Sequence, residues 1–513
     1  MCSVFLDTGE FKPRLYQELI TATAIKKNTL CILPTGLGKT YVALMVAADR
    51  LEKFPKSKIL MVAPTRPLVS QHLKTFKKYL IAGDVLISLT GKTHAEDRAV
   101  LYKKNQIFFT TPQIIKNDVE SGILDLSDFS LLIIDECHRS VKNYSYTFVV
   151  DYYVKHSRNP LILGLTASPG GIKDKIEEVK KNLHVTAVEI RSEKDADVQP
   201  YVQKTETEKV MIELPEKFKE IKKSLEGLYK NRIYNLLRVK AIHSPKISKR
   251  DLIATQTELG KMYSQKKDFM VARAMVDCAQ AIKIDHALEL LETQGIMSLN
   301  QYLTKMKKEK TTSSRKLLAS PGFSKVIKNV NDLYVAGVDH PKMKKMIQIL
   351  KKQLKKKKNS KIIVFANYRD TVGKITKLVD LEEIEVREFI GQAIKRGKGL
   401  SQKEQIEILN EFKLELFNVL VSTSIGEEGL DIPELDMVIF YDSVPSEIRK
   451  IQRSGRTGRT KPGKVIFLIA KDTRDEWYYW SAHHKEKRMK KILKDIKENE
   501  NQNKSKKISD YVK

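Results

Sequence analysis

The sequence predicts an α/β protein: two parallel-sheet domains in tandem with an all-helical insert between them. Two blocks of short apolar runs alternating with amphipathic segments, starting near residues 11 and 340, point to the sheets. Between them, apolar residues recur every three or four positions and point to helices. At 513 residues the chain is too long for a single core. The boundaries that follow are 1–205 for the first sheet domain, 206–339 for the insert, 340–485 for the second sheet domain and 486–513 for a basic, mostly disordered tail.

In the first block, strands are expected at 29–33, 59–63, 85–89, 107–110, 131–135 and 161–166. Polar or glycine-containing turns follow several of them, then helical periodicity. That is the βα alternation of a parallel sheet covered on both faces. In the second block the strands are 361–365, 385–390, 418–423, 437–441 and 463–469. This block holds no phosphate-binding glycine loop of its own, so one nucleotide site shared by both domains is expected.

In the insert, Phe218, Ile221, Leu225, Leu228, Ile233 and Leu236 form one stripe, and Val271, Met275, Ala279, Ile282 and Leu290 another. Gly295 reads as a helix stop. These stripes pack the helices on one another, which leaves function to basic residues opposite, such as Lys240, Lys246, Lys249, Arg250, Lys261, Lys266 and Lys267. Residues 342–361 hold ten lysines and no acidic residue. Such a run reads either as a solvated face or as a source of phosphate contacts.

The 93 Lys and Arg outnumber the 63 Asp and Glu, for a net charge of +30. That balance does not suit a neutral metabolic enzyme and favours a polyanion partner, nucleic acid first. A lysine-rich proteome is the alternative reading. Cys2, Cys31, Cys137 and Cys278 share neither metal-ligand spacing nor a disulfide framework. No apolar run approaches the roughly 20 residues a bilayer requires. No signal peptide is evident, so a cytoplasmic, nucleoid-associated protein without membrane contact is expected.

Two local motifs carry chemistry. Leu33-Pro34-Thr35-Gly36-Leu37-Gly38-Lys39-Thr40 follows a predicted strand. Its glycines let backbone N–H groups close around phosphates, Lys39 reaches the β/γ oxygens and Thr40 can hold Mg²⁺. Leu33 stands where the usual pattern has a first glycine. About a hundred residues on, Ile133-Ile134-Asp135-Glu136-Cys137-His138 ends another strand. Asp135 can take the other side of the metal and leave Glu136 to polarise an attacking water. No second ligand pair accompanies Cys137 and His138, so they are not read as a metal site.

Further segments, taken with these, resemble the superfamily 2 helicases and translocases, and the resemblance covers nearly the whole chain. Lys12-Pro13-Arg14-Leu15-Tyr16-Gln17 resembles the adenine-recognition segment, with Gln17 on the adenine edge and Arg14 stacking on the ring. Ala63-Pro64-Thr65-Arg66 and its continuation through Gln71-His72 are similar to motif Ia, and Thr110-Thr111-Pro112-Gln113 to motif Ib. Thr166-Ala167-Ser168-Pro169 resembles motif III, residues 362–370 motif IV, and Phe389-Ile390-Gly391-Gln392 its companion loop. Residues 420–433 are similar to motif V, and Gln452-Arg453-Ser454-Gly455-Arg456-Thr457-Gly458-Arg459 to motif VI.

The resemblance implies two RecA-like domains with ATP and Mg²⁺ between them. It implies catalytic roles for Lys39, Asp135, Glu136, Gln452, Arg456 and Arg459. Nucleotide contacts would come from Arg14, Gln17, residues 34–40, Gly429 and Asp431, with Thr40 and Asp135 on the metal. Thr65, Arg66, Thr111, Gly391, Gln392 and Thr423 would hold nucleic-acid backbone.

Within the superfamily the resemblance narrows to the archaeal Hef and eukaryotic FANCM type. It is carried by residues 33–40, the position of the insert, residues 286–295 and 421–433, and Thr473-Arg474-Asp475-Glu476 with Tyr478-Tyr479-Trp480. This implies an ATP-dependent DNA helicase or translocase, running 3′ to 5′, on forks and four-way junctions in repair. A duplex-RNA helicase is the alternative, encouraged by Cys137 in the Asp-Glu-Cys-His box. No Glu-Arg-Lys nuclease triplet occurs, so a separate nuclease partner is one expectation. Residues 505–512, with Ile508 and Tyr511 as anchors, loosely resemble a sliding-clamp-binding box.

Overall fold

The computed structural model describes residues 4–7, 9–81, 85–203, 205–392, 399–423, 432–454 and 463–511, excluding the side chains of residues 452 and 500–511. The first sheet comprises β1 (Thr29–Ile32), β2 (Lys58–Val62), β3 (Leu86–Ser88), β4 (Ile107–Thr110), β5 (Phe129–Ile134), β6 (Ile162–Thr166) and β7 (Ala187–Ile190). Their order is β3-β4-β2-β5-β6-β1-β7, every neighbouring pair parallel. Alternate strand residues feed two cores: Cys31, Met61 and Leu163 face one helical layer, while Leu30, Leu60 and Ile162 face the other. That double burial is why these strands read as continuous apolar runs.

The second sheet comprises β8 (Thr205–Ile212), β9 (Ile362–Phe365), β10 (Val386–Phe389), β11 (Val419–Ser422), β12 (Met437–Phe440) and β13 (Gly463–Ala470). It runs β10-β11-β9-β12-β13-β8, again all parallel. Every strand expected from the apolar runs is present. Two others were not legible. In β7 the apolar run is broken by Glu189, which is buried because the Thr23 hydroxyl donates to it (2.7 Å) and Arg191 pairs with it (3.3 Å).

The other, β8, corrects a boundary. Its sequence, Thr-Glu-Thr-Glu-Lys-Val-Met-Ile, straddles the boundary expected at 205/206, nearly all of it on the insert side. It instead forms the outer strand of the second sheet and pairs with β13 along its whole length. An edge strand with only Val210 and Ile212 buried has no apolar run to betray it. The helical bundle is therefore an excursion from within the second domain. It consists of Glu216–Arg238, Lys249–Gln265, Phe269–Thr293, Ile296–Lys307, Thr312–Leu318 and Pro321–Val335.

In the bundle's central helix, Phe269–Thr293, Leu290 of the expected stripe is buried and Val271, Met275 and Ile282 pack half-buried against the core, while Ala274, Cys278, Ala281, Ile284, Leu288 and Leu291 are also buried. The helix is wrapped by neighbours on several sides and also buries Asp277, Gln280, Asp285 and Glu292, so no single apolar face identifies it. Gly295, at φ 93°, breaks the chain between this helix and the next, as expected of a stop.

The lysine run is mostly solvated, with one exception. Lys342 is fully buried, 2.6 Å from Asp475, and donates to the Tyr441 carbonyl (2.9 Å). The expected disordered tail is a second correction, for Arg474–Tyr511 is a single helix. It leaves the second domain and lays Ile492, Leu493 and Ile496 on the core of the first. Lys497 pairs with Asp195 (2.9 Å) at the same seam. Apolar side chains three and four residues apart give even this polar segment a stripe to bury.

Candidate nucleotide and nucleic-acid site

The motif-bearing loops lie at the carboxyl ends of parallel strands, where an open α/β sheet presents backbone donors and helix N-termini to ligands. The loop after β1 turns through Gly36 (φ 83°) and Gly38 (φ 76°) before the helix Lys39–Lys53 begins. Leu33 has no left-handed backbone, and its N–H donates to the Thr166 carbonyl (3.1 Å), so the missing first glycine costs the turn nothing. Lys39 Nζ donates to the Leu33 carbonyl (3.2 Å), curling the ammonium over the loop.

Gln17 and Tyr16 reach this loop, and Arg14 lies behind them, its Nη1 donating to the Tyr16 hydroxyl (3.2 Å). The Gln17 amide oxygen accepts the Arg14 N–H (2.9 Å) and its nitrogen donates to the Leu37 carbonyl (3.1 Å). The Tyr16 hydroxyl donates to the same carbonyl (2.8 Å). Gln17 is thus buried as a brace for the phosphate loop, with both ends of its amide engaged. Arg14 stacks on Tyr201, 4.6 Å from the ring centroid. A Cβ at Gly38 would lie 2.5 Å from Gln17 Nε2, so the brace and the glycine require each other.

Asp135 follows β5 with its N–H donating to the Val62 carbonyl (2.9 Å) and its own carbonyl accepting from the Tyr146 hydroxyl (2.8 Å). Its carboxylate meets His72, with Asp135 Oδ2 2.8 Å from Nε2 and Thr40 Oγ1 3.4 Å from Nδ1 on the other side of the ring. Burial pushes the Asp135 pKa up, but His72 and, behind it, Lys39 more than offset this, and the carboxyl sits below its ordinary value. The sequence names His72 only within motif Ia. The signal was there: Val69, His72 and Phe76 are the buried residues of the helix Arg66–Tyr79, and a histidine on that face needs a partner.

Glu136 adopts a left-handed backbone (φ 49°) and lies 3.2 Å from His138 Nδ1, which also faces Thr166 Oγ1 at 3.1 Å. Thr166 Oγ1 donates to the Ser168 carbonyl (3.2 Å), and Ser168 Oγ donates to Met489 Sδ (3.0 Å) on the long C-terminal helix. Glu136 is thus tied through His138 and motif III to an element of the second domain. Cys137 is buried against β6, where a Cβ on Gly164 would come within 3.2 Å of its sulfur. Among the described residues no group of three or more His, Cys, Asp and Glu could hold a metal.

Thr65 and Thr111 are the caps of the helices Arg66–Tyr79 and Pro112–Glu120, and Arg66 is exposed. In the second domain Gly391 follows β10 and its carbonyl accepts from Arg369 (3.0 Å), while Gln392 is exposed. Thr423 follows β11 and is only 8% exposed. The helix Glu447–Ser454, which leads into motif VI, crosses to the first domain: the Gly171 N–H donates to Glu447 Oε1 (3.0 Å). Gly429, Asp431, Arg456 and Arg459 lie outside the described residues, as does the side chain of Gln452.

A phosphate loop, an Asp-Glu pair and a second parallel-sheet lobe docked across the first define a two-lobed phosphate-loop NTPase. Residues 10–171 match the family described as "Type III restriction enzyme, res subunit", residues 341–461 "Helicase conserved C-terminal domain", and residues 217–337 "Putative ATP-dependent RNA helicase, helical bundle". The crystal structure of the Pyrococcus furiosus Hef helicase domain superposes with a TM-score of 0.74 at 42% identity, covering 93% of this chain and 100% of that one. "Putative ATP-dependent RNA helicase MJ1505" of Methanocaldococcus jannaschii is 44% identical over 96% of this chain and 63% of its own. "ATP-dependent DNA helicase fml1" of Schizosaccharomyces pombe is 33% identical over 89% of this chain and 57% of its own. The chain thus spans about three-fifths of the length of these two relatives. It belongs to the superfamily 2 helicases of the Hef and FANCM type.

Proposed function

We propose that this protein is an ATP-driven DNA translocase that remodels forks and four-way junctions, moving 3′ to 5′ along one strand. The observation that carries the proposal is the shared rim: the phosphate loop, Asp135-Glu136 and the backbone-binding helix caps of Thr65 and Thr111 line the carboxyl ends of one sheet. Lys39 neutralises β/γ-phosphate charge, Glu136 orients and polarises the attacking water, and Arg456 and Arg459 come from the second lobe to meet γ-phosphate charge. Thr40 and Asp135 would hold Mg²⁺, and a buried carboxylate held below its ordinary pKa and a hydroxyl, both oxygen donors grouped around His72, suit that ion. When bound, Mg²⁺ would supply neutralising charge to the triphosphate.

Backbone contacts on both lobes then convert closing and opening of the cleft into a step along the strand. The net charge of +30 and the exposed Lys240, Lys246, Arg250, Lys261, Lys266 and Lys267 on the bundle support a grip on duplex arms. No helix among the described residues is long and apolar enough to cross a membrane, and a cytoplasmic, nucleoid-associated location fits this reading. A sliding clamp at residues 505–512 and a nuclease on a separate chain are further candidate partners. The clamp-like segment is helical as far as Tyr511, and its side chains lie outside the described residues. Clamp binding that survives deletion of residues 504–513 would remove the first.

A duplex-RNA helicase is the second reading, favoured by Cys137 in the Asp-Glu-Cys-His box and by the descriptions of the M. jannaschii relative and the helical-bundle family. Measuring ATP turnover with single-stranded, duplex, forked and four-way DNA beside matched RNA separates the two. Forked DNA should stimulate most; stronger stimulation by duplex RNA reverses the assignment.

A further inference from the structure

A hydrogen-bonded chain, buried at both ends and exposed at Asn367, links the motif VI helix to the bundle. Arg453, on the helix Glu447–Ser454, is fully buried, its guanidinium 4.8 Å from the Phe365 ring centroid. Its Nη2 donates to Asn367 Oδ1 (3.3 Å), and the Asn367 N–H donates to Asp442 Oδ2 (2.7 Å). Asp442 Oδ1 accepts from Gln294 Nε2 (3.0 Å), and Gln294 Oε1 accepts from the Thr371 hydroxyl. Gln294 belongs to the bundle, one residue past its central helix. Gln294, Thr371, Asp442 and Arg453 are nearly inaccessible to water, whereas Asn367 between Arg453 and Asp442 is exposed.

The chain is framed by a rigid dock. Arg474 pairs with Asp285 (2.7 Å), Lys222 with Glu292 (2.9 Å), and His340 Nε2 lies 3.0 Å from the Glu292 carbonyl. Gly295 sits so close to His340 that a Cβ there would come within 2.8 Å of it. Segments 286–295 and 473–476, which carried the family resemblance without an assigned role, are the two halves of this joint. Buried polar groups cannot slide apart without leaving one of them unpaired, so the joint transmits displacement instead of absorbing it.

We propose that Gln294 and Asp442 are positioning residues that couple the nucleotide-dependent movement of the motif VI helix to the bundle's grip on nucleic acid. This rests on the translocase reading above, in which ATP draws Arg456 and Arg459 toward the first lobe. The helix Glu447–Ser454, which precedes them in the chain, turns with them, Arg453 and Asn367 carry the turn to Asp442, and Gln294 passes it to the bundle. The bundle therefore changes its hold on duplex arms once per nucleotide cycle.

The test uses the full chain and a fluorescein-labelled forked DNA, with Kd measured without nucleotide and with Mg²⁺ and the non-hydrolysable analogue AMP-PNP. The wild type should show a ratio of the two Kd values on the order of tenfold. In Gln294→Met, which has similar bulk but no polar ends, the ratio should collapse toward one with AMP-PNP affinity unchanged. Thr371→Val, which removes only the far arm, gives a partial loss and serves if Gln294→Met does not fold. Asp442→Asn should retain the ratio, because a flip of the Gln294 amide restores both hydrogen bonds. A purely structural role would lower thermal stability and weaken both Kd values by one factor, leaving the ratio intact and overturning the inference. An unchanged ratio in Gln294→Met overturns it as well. A wild type whose DNA affinity ignores nucleotide overturns the translocase reading and this inference with it.

Discussion

Asp442 makes the second domain more stable without its charge than with it. The residue lies two positions past β12 at 1% exposure, receives N–H groups from Asn367 and Gln294, and lies near both members of the Lys342–Asp475 pair. Burial lifts its pKa from 3.8 to about 6; Lys342 and the Asn367 N–H oppose the rise and Asp475 adds to it. The native state therefore holds this proton more tightly than the unfolded chain does. The stabilisation is fully present below about pH 3.8 and is lost as pH rises through about 6. At pH 7.5 the ionised carboxylate costs up to about 3 kcal/mol, and at pH 4.5 about 1 kcal/mol. Asp442→Asn keeps the shape and removes the charge. Its unfolding free energy in urea should exceed the wild type's by up to about 3 kcal/mol at pH 7.5, and the gap should narrow to about 1 kcal/mol at pH 4.5. Both tryptophans, Trp477 and Trp480, lie on the long helix beginning at Arg474, so their fluorescence reports this domain. A variant less stable than wild type at pH 7.5, or a gap independent of pH, would refute the reasoning.

Three further outcomes are expected. Lys39→Ala or Asp135→Ala should abolish ATP turnover, while Arg456→Ala should bind ATP and lose hydrolysis by on the order of 10³–10⁵-fold in a steady-state assay; nucleic-acid-stimulated turnover surviving in Lys39→Ala contradicts the site. His72→Ala removes the 2.8 Å partner of a buried carboxylate, so stability should fall by about 1.5–3 kcal/mol and the Mg²⁺ needed for half-maximal turnover should rise, with His72→Gln intermediate. An unchanged Mg²⁺ requirement would confine His72 to packing. Binding to forked DNA should weaken on the order of 10³-fold between 50 and 200 mM salt, with little sequence preference, since the candidate contacts are to phosphates. A flat salt response in a fluorescence titration would argue against backbone-dominated binding.

The parts legible in the sequence are those whose chemistry is local. Strands buried on both faces announce themselves as apolar runs, and a phosphate loop needs only eight consecutive residues to place its glycines and lysine. β7 and β8 escaped because a buried glutamate interrupts one and solvent faces most of the other. The C-terminal helix escaped because its apolar stripe is sparse and acquires a partner only when the first domain is already folded. Gln17 shows the same limit at a single residue: its position near the phosphate loop could be read, but the loan of its amide to the Leu37 carbonyl could not.

What the amino-acid order by itself determined is the chemical inventory of the cleft and the number of lobes that share it. Those follow from backbone conformation and periodicity over a few residues. Only the folded chain decided which side chains meet: His72 with Asp135 across 63 residues, and Gln294 with Asp442 across 148. The reason is that a buried polar group takes whichever partner the packing brings within about 3 Å, and nothing in its own neighbourhood of the sequence names that partner.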